Sequence, residues 1–147
     1  MKRVFNDGGR YSAGFRGTAG DCVARAIAIV ARRSYAEVHA ELALLNESMR
    51  KTRRRVATTG TRTADRGIYT QSVLFKRYMV EHGFVWTPTM SIGSGCTVHL
   101  RDGELPAGRL IVAVSKHYTS VIDGVIHDTH NVSRGGNRCV YGYWRKA

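Results

Sequence analysis

The stretch from Gly17 to Val30 constrains the fold of this chain more than any other part of it. A glycine-rich approach ends at Asp21, and aspartate commonly starts helices by accepting hydrogen bonds from free backbone N–H groups. Beyond it, apolar residues recur with the i, i+3, i+4, i+7 spacing of a helix with one buried face. We therefore predict a buried helix from Cys22 to about Arg33, with Asp21 as its N-cap. The apolar positions are Val23, Ala26, Ile27 and Val30.

Cys22 lies in the first turn of this predicted helix, where unpaired N–H groups and the helix dipole favour an anion. A thiolate is stabilised at such a position, and the thiolate is the nucleophilic form of cysteine. Free cysteines are also commonly buried as small packing residues, and the position alone does not distinguish the two roles. His117, far downstream at the start of a predicted strand, favours the nucleophile because a histidine can hold the proton of a thiol.

The order of elements predicts an α+β domain. A chain of 147 residues fits one domain, residues 1–147, with its own core. Residues 1–20 are rich in glycine and are predicted to be irregular, while Ser34 and Glu37 match a capping box that starts a second helix. A third helix is predicted over 70–82. Asp123-Gly124 between two β-branched runs is the sequence signature of a hairpin. We expect N-terminal helices packed on a C-terminal antiparallel sheet. The predicted strands are Phe84–Thr87, Arg109–Ser115, Tyr118–Ile122, Val125–Asp128 and Cys139–Trp144.

The chain is strongly basic, with 23 Lys and Arg against 11 Asp and Glu and a formal net charge of +12. Such a charge favours acidic partners, among them nucleic acid and anionic protein surfaces. Residues 50–68 carry the densest basic cluster and are predicted to form a mobile loop. The loop either contacts phosphate groups without base specificity or is a solvated connector. Its candidate contacts are Arg50, Lys51, Arg53, Arg54 and Arg55.

Cysteine usage and hydropathy bear on the cellular compartment. Cys22, Cys96 and Cys139 are three in number and show no paired spacing. No apolar segment near the N-terminus resembles a signal peptide, and no run approaches the length of a membrane span. We therefore expect a cytoplasmic protein with free thiols and no membrane partner.

A cysteine opening a buried helix, followed far downstream by a histidine at a strand start, resembles the papain-like (transglutaminase-like) cysteine peptidase superfamily. The matching residues are Gly20-Asp21-Cys22 with its helix, the run 116–124 and the run 125–128. The short chain, its Asn-Asp-Gly-Gly opening and its Asp-Cys-Val-Ala-Arg-Ala run are similar to compact members encoded by bacteriophages, which act in the host cytoplasm. The resemblance implies a cofactor-independent thiol hydrolase or acyltransferase, such as a peptidase, isopeptidase or deamidase, with a protein or peptide substrate.

The resemblance implies a catalytic triad of Cys22, His117 and Asp128. The cysteine attacks a carbonyl carbon, the histidine holds and returns the proton, and the aspartate orients the imidazole. In the predicted hairpin register, Asp128 shares a face with His117 and lies diagonally across from it. The alternatives are His130 in the same register and, after a shift of one residue, His127 or Asn131.

The oxyanion of the tetrahedral intermediate needs hydrogen-bond donors, and the backbone N–H of Cys22 is one candidate. Papain-type enzymes place a glutamine six residues before the cysteine, and this chain has Arg16 there. Arg16 or Asn6 is therefore the candidate side-chain donor.

Two other interpretations stay open. The first is a zinc site, although strand residues three apart, such as His127 and His130, point to opposite faces. The second is a catalytically inactive basic protein of the same fold that binds nucleic acid or a host protein. The zinc candidates are His117, His127, Asp128, His130 and Cys139.

Overall fold

The computed structural model describes residues 1–15, 21–52 and 68–146. Within them the chain forms three helices and six strands that belong to the α+β class, as predicted. The helices are α1 (Cys22–Ala31), α2 (Tyr35–Thr52) and α3 (Val73–Glu81). The strands are β1 (Arg3–Phe5), β2 (Phe84–Pro88), β3 (Arg109–Val114), β4 (His117–Ile122), β5 (Val125–Asp128) and β6 (Gly142–Lys146).

Helix α1 is the buried helix predicted from the apolar spacing. It ends at Arg32, whose φ of 54° lies in the left-handed region that terminates helices. Helix α2 begins after Ser34, whose hydroxyl accepts a hydrogen bond from the Glu37 N–H at 3.4 Å, as half of a capping box would. In the part of the chain that the structure describes, no helix is both long enough and apolar enough to cross a membrane.

Helix α2 also corrects the predicted basic loop over 50–68. It continues to Thr52, so residues 50–52 are helical rather than part of a loop. Methionine, arginine and lysine are good helix formers, which explains why the helix extends through Met49, Arg50 and Lys51. The rest of the cluster, including Arg53, lies outside the described residues, as do Arg54 and Arg55.

Ser72 is the N-cap of helix α3, and its hydroxyl accepts a hydrogen bond from the Leu74 N–H at 3.1 Å. Ser72→Ala removes this N-cap, and we expect it to lower the free energy of unfolding by about 1 kcal/mol. Chemical denaturation of the two proteins measures the difference. Ser91→Ala, in an exposed loop, is the matched control and should change stability by less than about 0.5 kcal/mol. Equal stability of Ser72→Ala and wild type would contradict the capping role.

The six strands form one sheet in the order β1-β5-β4-β3-β6-β2. All neighbours are antiparallel except β1 and β5, which are parallel, so the sheet is mixed and not antiparallel as predicted. The expectation that residues 1–20 are irregular is therefore wrong for Arg3–Phe5. A strand of three exposed residues has too little alternation to be detected in a sequence, and its pairing with β5 depends on residues more than a hundred positions away.

The two faces of the sheet carry two separate apolar clusters. Helices α1, α2 and α3 cover one face, where Ile111 and Trp144 pack against α-helical side chains such as Ile27 and Phe75. The other face is covered by the loops before β3 and β6. Its buried members are Leu100, Leu110, Val112, Val114, Val121, Ile126, Val132 and Val140. The strands β3, β4 and β5 are thus largely buried between the two clusters, which fixes the positions of the candidate site residues on β4 and β5.

Cys96 and Cys139 form a disulfide with Cα atoms 5.8 Å apart, which corrects the expectation of three free thiols. The two residues are 43 positions apart, and they meet because the backbone at His99 bridges to Cys139. This long-range pairing leaves no spacing signal in the sequence. Cys22 is the free cysteine of the chain.

Candidate active site

The start of α1 lies against the start of β4. The helix packs on this strand, and the Tyr118 backbone N–H donates a hydrogen bond to Cys22 Sγ at 3.4 Å. The Cys22 side chain is partly buried, as expected for the first residue of a helix that otherwise lies in the core. The structure therefore brings Cys22 and His117, which precedes Tyr118, to one place.

Asp128 joins them through the β4–β5 hairpin. The hairpin pairs Ile122 with Val125, and its register is the one predicted from the Asp-Gly turn. His117 Nε2 donates a hydrogen bond to Asp128 Oδ2 at 2.8 Å, the contact that the register predicts. The reserve candidate His130 lies with its ring centroid 6.0 Å from that of His117. Among the candidates for a hydrogen bond to the imidazole, the structure therefore supports Asp128.

His117 changes the pKa values of both Cys22 and Asp128, and these two residues change the pKa of His117 in turn. Burial raises the pKa of the Cys22 thiol, but the hydrogen bond and charge of His117, with the Tyr118 N–H and Arg25, bring it below its usual value. Burial lowers the pKa of His117, but the hydrogen bonds to Asp128 and Cys22 outweigh burial and raise it to about 9. Burial raises the pKa of Asp128, but the bonds from His117 and Thr119 lower it to about 2. These directions favour a thiolate–imidazolium pair beside a carboxylate at neutral pH.

The assignment of ring nitrogens follows from these contacts. Because Nε2 of His117 is bonded to Asp128, Nδ1 is the nitrogen left for Cys22. A protonated imidazole donates from both nitrogens, so one ring serves the carboxylate and the sulfur together. This is the arrangement that a proton-holding histidine requires.

Asp21 does not cap α1 with its side chain, contrary to the prediction. Its carboxylate oxygens instead lie 3.0 Å from Arg25 Nε and 2.9 Å from Arg10 Nε. The Tyr35 hydroxyl donates a further hydrogen bond to it. Two guanidinium groups bind a buried carboxylate more strongly than a backbone N–H does, which explains the lost cap.

Arg25 connects this cluster to the candidate triad. Its Nη1 lies 3.2 Å from Asp128 Oδ1 and donates to Thr129 Oγ1 at 3.0 Å. Asp128 also accepts hydrogen bonds from the Thr119 hydroxyl at 2.7 Å and the Thr129 N–H at 2.7 Å. Sequence reasoning missed Arg25, although its position four residues after Asp21 on a helix is a signal for an ion pair.

Arg25→Gln is expected to move the pH midpoint of Cys22 alkylation upward. The Arg25 charge is one of the causes that lower the pKa of the thiol, so its removal leaves the thiolate less stable. Rates of iodoacetamide alkylation between pH 5 and 9 measure the midpoint. Arg77→Gln, an exposed position on α3, is the matched control and should leave the midpoint in place. An unmoved midpoint in Arg25→Gln would show that the guanidinium does not act on the thiol.

The three candidate donors to the oxyanion differ in what the structure shows of them. Asn6 Oδ1 accepts a hydrogen bond from the Gly8 N–H at 2.9 Å, and its Nδ2 lies 3.5 Å from His127 Nδ1. This side chain therefore builds a turn after β1, and its proposed role as oxyanion donor is not supported. Arg16 lies outside the described residues. The backbone N–H of Cys22, at the first position of α1, remains a donor candidate because helix geometry provides no partner for it.

The zinc interpretation is wrong for the residues that the structure describes. They contain no group of three or more His, Cys, Asp or Glu side chains able to hold a metal ion. Cys139 is bonded to Cys96, and His127 contacts Asn6. The five residues that suggested zinc therefore do not form a common metal site.

Comparison with known proteins gives no match for this chain, whether among family models, curated proteins or solved structures. The chemistry of the site therefore rests on the geometry of its own residues.

Proposed function

We propose that this protein is a thiol-dependent hydrolase or acyltransferase that acts on a protein or peptide through Cys22, His117 and Asp128. The observation that carries the proposal is the 2.8 Å hydrogen bond from His117 Nε2 to Asp128 Oδ2, made by a histidine that also holds the pKa of the Cys22 thiol below its usual value. The arrangement of a helix-start cysteine packed on a hairpin supports the papain-like (transglutaminase-like) resemblance. Peptide cleavage, isopeptide cleavage and side-chain deamidation all fit this chemistry.

The first half of the reaction forms a covalent thioester. The Cys22 thiolate attacks the carbonyl carbon, and the carbonyl electron pair moves to oxygen to give a tetrahedral oxyanion. The Cys22 backbone N–H, for which helix geometry provides no partner, is the candidate donor to that oxygen. As the oxyanion collapses, the imidazolium of His117 gives its proton to the leaving nitrogen, which departs as an amine or ammonia.

The second half releases the acyl group. His117, now neutral, takes a proton from water or from an acceptor amine, which attacks the thioester carbonyl. Collapse of the second intermediate returns the sulfur as thiolate, and the retained proton on the ring restores the original ion pair. Asp128 holds the ring throughout, because its hydrogen bond to Nε2 persists in both protonation states.

Labelling with a peptide electrophile tests the proposal. A peptidyl vinyl sulfone is expected to modify Cys22 and no other residue, as mapped by mass spectrometry of proteolytic fragments. Cys22→Ser should abolish labelling. Reduced Cys96 and Cys139, after mild thiol treatment, serve as internal controls for a non-specific reaction. Labelling spread evenly over the three cysteines would contradict the proposal.

A second candidate function is binding of a polyanion, and the net charge of +12 favours it. Such binding is electrostatic and non-specific, so affinity for duplex DNA should fall steeply between 50 and 200 mM salt. Replacing Arg53, Arg54 and Arg55 together by serine should weaken it. Binding that resists salt and selects a sequence would contradict this candidate.

A further inference from the structure

Six ionisable side chains form a row, here called the charge row, that begins in the N-terminal segment and ends at the candidate nucleophile. Positive and negative groups alternate along it, three of each when Cys22 is a thiolate and His117 is an imidazolium. The charge row therefore has no net charge in the state that the proposed reaction uses. In order, its members are Arg10, Asp21, Arg25, Asp128, His117 and Cys22.

The ion pairs of the charge row are short and largely buried. Arg10 Nε lies 2.9 Å from one carboxylate oxygen of Asp21, and Arg25 Nε lies 3.0 Å from the other. The same guanidinium approaches Asp128 to 3.2 Å, and Asp128 in turn holds His117 at 2.8 Å. The side chains of both aspartates are at most 5% exposed, and those of the three cations at most 13%. Because water screens buried charges weakly, each member acts on its neighbours more strongly than a surface pair would.

A turn in the N-terminal segment presents Arg10 to the charge row. The Asp7 carboxylate accepts hydrogen bonds from two backbone N–H groups of this turn, each at 2.9 Å. Gly8, with a φ of 71°, lies so close to α1 that a Cβ there would come 3.0 Å from the Arg25 carbonyl oxygen. The turn is thus closed by its own hydrogen bonds and packed on α1, which places its arginine at Asp21.

Stability alone gives little reason for this row to be charged. Replacing a buried ion pair by apolar residues of similar volume is often neutral or stabilising. A charge beside a titrating group, in contrast, changes the pKa of that group. The charge row ends on the two groups whose protonation decides the proposed reaction, which are the imidazole of His117 and the thiol of Cys22.

We propose that Arg10 and Asp21 are positioning residues of the reaction. Acting through Arg25 and Asp128, they determine the pH range over which the thiolate–imidazolium pair exists. The inference deepens the proposed function and rests on it, because it concerns the control of the same two reacting groups.

The direction of each effect follows from the charge that is removed. Loss of a positive charge makes a thiolate less stable and an imidazolium more stable, so the pKa of both groups rises, and loss of a negative charge lowers both. The ion pairs act in the same direction. Without Asp21, Arg25 interacts with Asp128 alone, and the carboxylate then holds the imidazolium less strongly. The pH range of the pair should therefore move upward without Arg10 and downward without Asp21.

Other titratable groups adjoin the charge row and its immediate neighbours. They lie in the N-terminal turn, on α2, on β4 and after β5. None of them is changed in the variants compared below, so a shift of the pH range follows from the charge row itself. They are Asp7, Tyr35, His39, Tyr118 and His130.

Two pH titrations test the inference, one for each end group. Iodoacetamide alkylation gives the midpoint of Cys22, and NMR of histidine ring carbons gives that of His117, whose signal is identified by its absence in His117→Ala. Arg10→Gln is expected to raise both midpoints by about 0.3 to 1 pH unit, and Asp21→Asn to lower both by a similar amount. Arg10→Lys keeps the charge and should stay near the wild type. The double variant Arg10→Gln, Asp21→Asn should also return toward the wild type, because it removes two opposite charges.

Arg3→Gln is the matched control, since it removes the same charge from the exposed strand β1 of the same segment. It should move neither midpoint by more than about 0.1 pH unit, because water and salt screen an exposed charge. If Asp21→Asn does not fold, Arg10→Gln decides alone, since Asp21 keeps Arg25 as its partner in that variant. Midpoints in Arg10→Gln equal to those in Arg3→Gln would overturn the inference. Shifts of the same sign in Arg10→Gln and Asp21→Asn would overturn it as well.

The NMR titration separates this inference from the proposed function when it is repeated in Cys22→Ser, which lacks the nucleophile. The shifts of the His117 midpoint in Arg10→Gln and Asp21→Asn should persist there. If alkylation does not depend on His117 while these shifts persist, the proposed function is contradicted and the charge row is supported. If His117 accelerates alkylation but its midpoint ignores Arg10 and Asp21, the inference alone is contradicted.

Discussion

Replacing His117 by alanine is expected to slow the alkylation of Cys22 by iodoacetamide at pH 6 by roughly tenfold to a hundredfold. The hydrogen bond and positive charge of His117 are the leading causes that hold the pKa of the thiol below its usual value. Without them an ordinary cysteine, with a pKa of about 8.5, is almost wholly protonated at pH 6. The difference in alkylation rate is smaller than the difference in thiolate population, because a less basic thiolate is also a weaker nucleophile.

His127→Ala is the matched control for this experiment. His127 lies on the same hairpin but contacts Asn6 and not the thiol, so its loss should change the rate by less than about twofold. In the wild type, the pKa of His117 is raised to about 9, so the imidazolium is present below that pH and is lost above it. The difference in alkylation rate between wild type and His117→Ala should therefore shrink as the pH rises past 9. An equal rate at pH 6 in wild type and His117→Ala would refute the ion pair.

Asp128→Ala is expected to lower the free energy of unfolding by about 3–5 kcal/mol. The carboxylate is buried and pairs with His117 and Arg25, so truncation removes an ion-pair partner from each of these two buried cationic groups. Urea denaturation near pH 7 measures the loss. The exposed Asp102→Ala is the matched control, and it should change stability by less than about 0.5 kcal/mol. A loss below 1 kcal/mol for Asp128→Ala would refute the coupling.

The same residue predicts how stability depends on pH. The pKa of Asp128 is about 2 in the folded protein and about 3.9 in an unfolded chain. Its contribution is therefore present above about pH 4 and is lost as the pH falls toward 2. The contribution of His117 to stability changes with pH in the opposite direction. Its pKa is about 9 in the folded protein and about 6.5 in an unfolded chain, so its contribution is full below pH 6.5 and is lost as the pH rises through 9. Asp128→Ala should flatten the acid limb of the wild-type profile.

The hairpin that joins His117 to Asp128 could be predicted because residues close together in the sequence determine its turn and its register. Asp123-Gly124 specifies a two-residue turn, and the alternation of side chains then determines which residues of β4 and β5 share a face. The helix of Cys22 could be predicted for a similar reason, since its apolar spacing spans only three turns. The contact between these two local units depends on tertiary packing, and the resemblance to papain-like proteins supplied it as an expectation.

Features that depend on distant residues could not be predicted in this way. The strand β1, the disulfide between Cys96 and Cys139, and the bond from Arg25 to Asp128 each join positions at least 43 residues apart. The prediction for Asp21 was wrong for a different reason. A local rule assigned it to the helix cap, but two arginines bind it more strongly in the folded protein.

The parallel pairing of β1 with β5 affects the stage of folding at which the strand that carries Asp128 is complete. The strand that carries Asp128 receives its second neighbour from residues 3–5, and Asn6 N–H donates to the Asp128 carbonyl at 3.1 Å. Closing a loop that spans most of the chain costs entropy and is slow. Completion of the strand that carries Asp128 therefore awaits the meeting of two segments that are more than 120 residues apart. Before these segments meet, β5 has β4 alone as its neighbour, so we expect the contact between Asp128 and His117 to become fixed only after this long-range pairing has formed.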